Sequence, residues 1–245
     1  MKRLYEKSEL LFALLWIFVY CTVLSVAEYL SGNINIQKVI TAPVCIIFSI
    51  FLFWFVKKNK LSEKYGLCKP LIPAKKVIFY LPLLIIASIN LWYGVALSRS
   101  PLENVFYMVS MVCIGFMEEI LFRGFLFKAL CKKNLKMAVV VSSAAFGAGH
   151  FLKLFNGSGA TVFPTFLQAV YAAAIGFLFV TLFYKTKSLI ACIVTHSAIN
   201  TMSTFANGNA FTPEVKVFNA VILTVTSLAY AVYINRFVKT DGESV

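Results

Sequence analysis

Eight apolar runs, each close to the length of one bilayer crossing, dominate this chain and limit what it can fold into. They fall at residues 10–30, 39–56, 77–97, 104–127, 137–155, 162–184, 189–205 and 217–235, between clusters of charged residues, Gly, Pro or Asn. About 20 apolar residues in a helix cross the hydrocarbon layer, where only helices and closed barrels satisfy their own backbone hydrogen bonds. The pattern therefore reads as all-α: a polytopic transmembrane helical bundle of about eight spans, one integral membrane domain over residues 1–245. Charged residues make up only 13% of the chain, about half the share usual in soluble domains. That excludes a soluble enzyme, a disordered chain and a nucleic-acid-binding surface. No internal repeat is visible, and no loop is long enough for a soluble domain, so function lies in or beside the bilayer.

The net charge of +13 then becomes a question of topology. One set of alternate loops carries Lys2, Arg3, Lys7, the seven lysines from Lys57 to Lys76, the four from Lys128 to Lys136, Lys185, Lys187, Arg236 and Lys239. The other set carries only Lys38, Arg99, Lys153 and Lys216. This 18-to-4 split predicts that both termini are cytoplasmic, because basic loops stay on the inner side. The first span begins basic and ends in Ser25-Val26-Ala27, but its apolar core exceeds the 7–15 residues of a signal peptide, so it reads as a retained span. The six cysteines show no CxxC or metal-ligand spacing and are expected to be free thiols that fill helix packing.

Charged groups inside a span cost about 2.5–3.5 kcal/mol each at the helix centre, so each implies a function. Glu28, at the end of the first run, reaches the outer interface. Glu118, Glu119 and Arg123 lie within the fourth run, and the chain's two histidines, His150 and His196, in the fifth and seventh. Counting from the basic side at 1.5 Å per residue puts Glu118 at ~15 Å, His150 at ~20 Å, His196 at ~11 Å and Asn200 at ~17 Å. All four fall in a band between the cytoplasmic face and mid-bilayer, where they could share one cavity.

Helical spacing divides their roles. Glu119 and Arg123 are i,i+4 neighbours able to pair, whereas Glu118 lies about 100° round the helix and points elsewhere. His196 and Asn200 share a face. Gly147, Ala148 and Gly149 before His150 would let another helix approach closely. A glutamate and a histidine can activate water as general base and acid, and a second histidine with an amide can stabilise an oxyanion. Alternatively, Glu118, His150 and His196 could ligate zinc with water in the open position, although HExxH is absent. Ser142, Ser143, Ser197 and Ser203 are weaker nucleophile candidates, since none has a GxSxG setting and intramembrane serines commonly bond back to their own helix.

Three patterns on successive apolar segments, Glu118-Glu119-x-x-x-Arg123, Phe146-x-x-x-His150 and His196-x-x-x-Asn200, resemble the CPBP family. Its members are CAAX-type and bacteriocin-processing intramembrane endopeptidases, also called the Abi family. The resemblance covers about residues 104–205. It implies that Glu118 and His150 act on the attacking water, that His196 and Asn200 form the oxyanion site, and that Glu119 and Arg123 organise the helix, with Phe146 in support. Family members are often labelled metalloproteases; the lack of a compact metal motif favours glutamate-activated water without zinc.

Eukaryotic relatives trim prenylated CaaX tails. Here lysine outnumbers arginine 19 to 4, a bias of AT-rich genomes that points to the membrane of a low-GC bacterium. Related bacterial proteins are associated with bacteriocin immunity and peptide-signal maturation, so the expected substrate is a hydrophobic peptide or membrane-bound protein, met among membrane lipids. Two other readings remain at this stage. Intramembrane Glu, Arg and His also build proton relays in transporters, although no pair of related halves is visible and Pro43 and Pro82 lie away from the polar band. A non-catalytic scaffold or immunity protein is the third.

Overall fold

The computed structural model describes residues 2–155 and 159–239. A short helix α1 (Lys2–Lys7) leads into α2 (Glu9–Asn33) and α3 (Thr41–Lys58). Then come α4 (Leu81–Ser88) and α5 (Pro101–Glu118). A π-helical segment (Glu119–Phe127) and α6 (Lys128–Cys131) extend α5 without a break. The remainder is α7 (Leu135–Gly149) with a 3-10 turn (His150–Leu154), α8 (Val162–Thr186), α9 (Ile190–Thr204) and α10 (Pro213–Phe237). Local chemistry starts the helices as capping rules require: Ser8, Ser100, Asn134 and Thr212 each accept a first-turn backbone N–H. Ser100 and Glu103 form a reciprocal capping box ahead of α5.

Seven helical stretches among the described residues are long and apolar enough to cross a membrane. The seventh run of the sequence, α9, is different: its 15 residues span only ~22 Å. It still joins the two ends of the bundle because loops come in to meet it. Leu189 N donates to the Gly66 carbonyl at one end, and Ala96 N to the Phe205 carbonyl at the other. The third run also departs from one continuous helix over 77–97. Ile78, Phe79 and Tyr80 have left-handed φ values of 51°, 49° and 59°, and regular helix starts only beside Pro82, whose fixed φ suits a first turn. It ends by Leu91 before Gly94, and Val95 then bridges to Ala206.

The basic loops gather at one end of the bundle. Lys64 bonds Tyr5 at 2.7 Å and Glu9 at 2.5 Å, and Lys132 reaches Glu9 at 2.9 Å. Leu71 N donates to Thr186 O, and Tyr233 Oη donates to Lys76 O. At the opposite end, Lys38 pairs with Glu28, and Arg99 donates to Gln37 and to the Thr204 carbonyl. The alternation read from charge thus corresponds to two physical ends, and the first and last described helices share the basic one.

α8 is the most enclosed of the long helices, packed against α7 on one side and α10 on the other; α5 packs against α9 and α3, and α2 lies on the π segment. Two of these contacts require glycine. A Cβ on Gly147 would stand 2.6 Å from the Ala169 carbonyl of α8, and one on Gly115 would stand 2.7 Å from the Ser197 backbone nitrogen of α9. Gly147 is thus the small residue that admits a helix, whereas Gly149 faces open space. Gly115 matters for the site: it seats α5 against α9 three residues before Glu118 and one residue from His196.

Candidate active site

Glu118 ends α5 and Glu119 begins the π segment, all nine residues of which are buried. A π turn is wider than an α turn, is rare, and is frequent at functional sites. It keeps Glu119 and Arg123 on one face: Arg123 Nη1 donates to Glu119 Oε1 at 3.0 Å, with both side chains fully buried. The guanidinium lies 3.9 Å over the Phe146 ring and 5.6 Å from Phe179, so aromatic faces partly replace water around it.

Glu119 Oε1 also meets His196 Nδ1, at 2.8 Å. A carboxylate already accepting from arginine is an acceptor only, so Nδ1 carries a proton and donates it. His196 Nε2 then faces Glu118 Oε2 at 3.4 Å, and Glu118 Oε1 accepts from the Tyr20 hydroxyl at 2.6 Å. Arg123, Glu119, His196, Glu118 and Tyr20 therefore form one buried polar chain drawn from the π segment, α9, α5 and α2.

His150 stands across a cavity of about 160 Å³ that Tyr20, Glu118, Phe146 and His150 line together. No hydrogen bond joins His150 to Glu118; they face one space. Phe146 holds both imidazoles edge-on, each ring centre 5.5 Å from its own. Asn200 follows His196 by one turn of α9, but its side chain neither bonds these residues nor lines the cavity. Along the helices from the basic end, Tyr20 lies 11 residues into α2, or ~17 Å, and His150 15 residues beyond Leu135, or ~22 Å. From that level the cavity continues away from the basic end toward Glu28 and Lys153, a direction that depth estimates along single helices do not give.

The other chemistries considered for these residues fare less well. Among the described residues no three His, Cys, Asp or Glu side chains converge to hold a metal ion. Glu118, His150 and His196, the set that could have ligated zinc, are not drawn together into such a group. All four serines donate to main-chain carbonyls: Ser143 and Ser203 within their own helices, Ser142 to Phe122 and Ser197 to Val112. The cysteines are free thiols.

Tyr20 is the site residue that sequence reasoning missed. Its only signal is a phenol in the middle of an apolar run, where tyrosine more often marks an interface.

Residues 100–202 match a family described as Rce1-like: type II CAAX prenyl endopeptidase Rce1-like. The matched stretch holds Glu118, Glu119, Arg123, Phe146, His150, His196 and Asn200 but not Tyr20. No curated protein and no solved structure is similar enough to the chain to match it.

Proposed function

We propose that this chain is an intramembrane endopeptidase that cleaves hydrophobic or membrane-bound peptides with glutamate-activated water; the match of residues 100–202 to the type II CAAX prenyl endopeptidase Rce1-like family supports protease activity on a protein or peptide. The observation that carries this reading is the buried Glu118–His196 pair beside a cavity that His150 closes from the other side.

In this reading, water held between Glu118 and His150 gives a proton to Glu118 as its oxygen attacks the peptide carbonyl. His196 enters this scheme with a second proton on Nε2, facing Glu118; once Glu118 is neutral, that proton is no longer held by a carboxylate and can turn to the new oxyanion. Glu119 keeps that imidazole oriented through Nδ1, the role the third member of a catalytic triad plays. Asn200 adds a second oxyanion donor after a change of side-chain direction when substrate binds. Glu118 then delivers its proton to the leaving amine, and the proton balance closes. α2 packs on the π segment and α7 on α8, and the cavity lies between α2 and α7, so a peptide segment reaches it laterally from the bilayer.

The test is reconstitution of the pure protein in liposomes with a fluorogenic hydrophobic peptide. Cleavage by wild type and its loss in His150→Ala supports the reading. Uptake of peptide or protons without cleavage would favour a transporter, and binding with neither would favour a scaffold.

Tyr20 acts here as a positioning residue for Glu118. A hydrogen bond to a charged group is worth about 1.5–3 kcal/mol, so Tyr20→Phe should lower kcat about tenfold or more. KM should change little, and thermal stability should fall by no more than the same hydrogen bond; a loss confined to KM would remove Tyr20 from this role.

Basic loops also orient the bundle: the end carrying Lys57–Lys76 is assigned to the cytoplasm, with both termini. The cavity then extends into the opposite half of the membrane. In a background with the six cysteines replaced by alanine, an impermeant maleimide should label Ser98→Cys in intact cells and leave Ser62→Cys unlabelled until the membrane is opened. The reverse pattern would invert the topology.

A further inference from the structure

A second cavity, which shares no lining residue with the first, lies along α8 where α7 and α10 flank it at the basic end. It measures about 490 Å³. Its lining is divided by height. Lys136, Tyr184, Lys185 and Asn235 form one end, and Val139, Val140, Phe177 and Thr181 continue it along the helices. The level is fixed by the neighbouring turn, since Thr186 O accepts Leu71 N from the basic loop. Lys187 adds a third cation, its ammonium 4.3 Å over the Tyr184 ring.

The dimensions suit one molecule. Phe177 precedes Lys185 by eight residues, ~12 Å along α8, close to the ~15 Å hydrocarbon depth of one leaflet, half of a ~30 Å core. Lys185 is only 6% exposed, and an ammonium offers three donors, so it can bind an anion in addition to its protein contacts. Basic pockets between transmembrane helices on the cytoplasmic side bind anionic head groups.

From this we propose that the α7–α8–α10 groove is a binding site for one anionic phospholipid. Its phosphate is held by Lys136 and Lys185, and an acyl chain lies along Val139, Val140 and Phe177. The inference stands apart from the peptidase reading, since none of these residues belongs to that site. Bound lipid would clamp α7 against α8, the pair whose close contact at Gly147 carries Phe146 and His150.

The test uses delipidated full-length protein in detergent, with native mass spectrometry and thermal unfolding as readouts. Phosphatidylglycerol should remain bound one per chain and raise the unfolding temperature about 3 °C more than phosphatidylcholine does. Lys136→Gln should weaken that retention about fivefold, whereas Lys75→Gln with Lys76→Gln, at the same end of the bundle, should not. Replacing the buried Lys185 can perturb folding, so Val140→Trp, a change at a 64% exposed position, serves as the second variant by filling the acyl part of the groove. Equal stabilisation by both lipids would overturn the proposal. So would an equal loss in the Lys75/Lys76 variant, or the same shift from inorganic phosphate alone.

Discussion

Glu118→Gln should abolish peptide hydrolysis while leaving the bundle folded. Glutamine keeps the shape of the side chain, and its carbonyl can still accept the Tyr20 hydroxyl that Glu118 Oε1 accepts at 2.6 Å. What it loses is the ability to take a proton from water. General base catalysis contributes about 10²–10⁴-fold, and here the same group must also return the proton to the leaving amine. The expected fall in kcat is therefore on the order of 10³-fold or more, with KM close to wild type. Loss of rate without loss of binding is the signature of a group used in the transition state. Fluorogenic turnover, peptide binding and thermal unfolding on the same preparation check all three parts. A variant that keeps a tenth of wild-type kcat would remove Glu118 from the chemistry. Comparison with Glu118→Ala adds a structural contrast, because alanine leaves both the Tyr20 hydroxyl and His196 Nε2 without their acceptor.

The site's parts differ in how far sequence reveals them, and the reason is physical in each case. Glu118, Glu119, Arg123, His150 and His196 are visible because ionisable groups are costly in lipid, so their position in apolar runs is informative before any fold is known. The Glu119–Arg123 pair follows from helical spacing and is present at 3.0 Å. Tyr20 is different. Tyrosine is tolerated in apolar runs, and nothing local links residue 20 to residue 118; only the packing of α2 against the π segment joins them. The π turn at Glu119–Phe127 is likewise announced by no residue type. His196 also had an undetermined partner: i,i+4 spacing set it beside Asn200, whereas the structure turns it to Glu119 and Glu118, which approach from another helix.

The same distinction applies to the fold. Length and hydropathy anticipate the long helices, and the charge alternation anticipates which loops share an end. The third run is where periodicity misleads, since left-handed backbone at Ile78, Phe79 and Tyr80 follows from how the chain reverses at the basic end, not from composition. α9 shows the opposite case. It is counted among the eight apolar runs, but in the structure it is short, packed between α5 and α4, and carries His196 into the interior. A helix shielded on several sides by others can hold polar groups that a lipid-facing span cannot.

Arg123→Met should be the most damaging substitution to stability. The change removes the guanidinium paired with Glu119 and leaves a carboxylate with no exposure to water, its remaining partner the His196 Nδ1. Breaking a buried pair by deleting one partner costs about 3–5 kcal/mol, a large share of the 5–15 kcal/mol that holds a typical domain. Phe146 would also lose the guanidinium stacked at 3.9 Å, although methionine replaces part of that packing. The paired variant Glu119→Leu with Arg123→Met separates the two effects. Exchanging both members of a buried ion pair for apolar groups of similar volume is often neutral or stabilising, so unfolding in detergent should return to within about 1 kcal/mol of wild type. Hydrolysis should not return with it. His196 Nδ1 would then have no carboxylate to orient it, and misorienting a catalytic imidazole can cost as much as 10⁴-fold. A paired variant that is both stable and active would show that Glu119 and Arg123 only hold the helices together. Stability restored with activity still lost would place them in the machinery that aims His196.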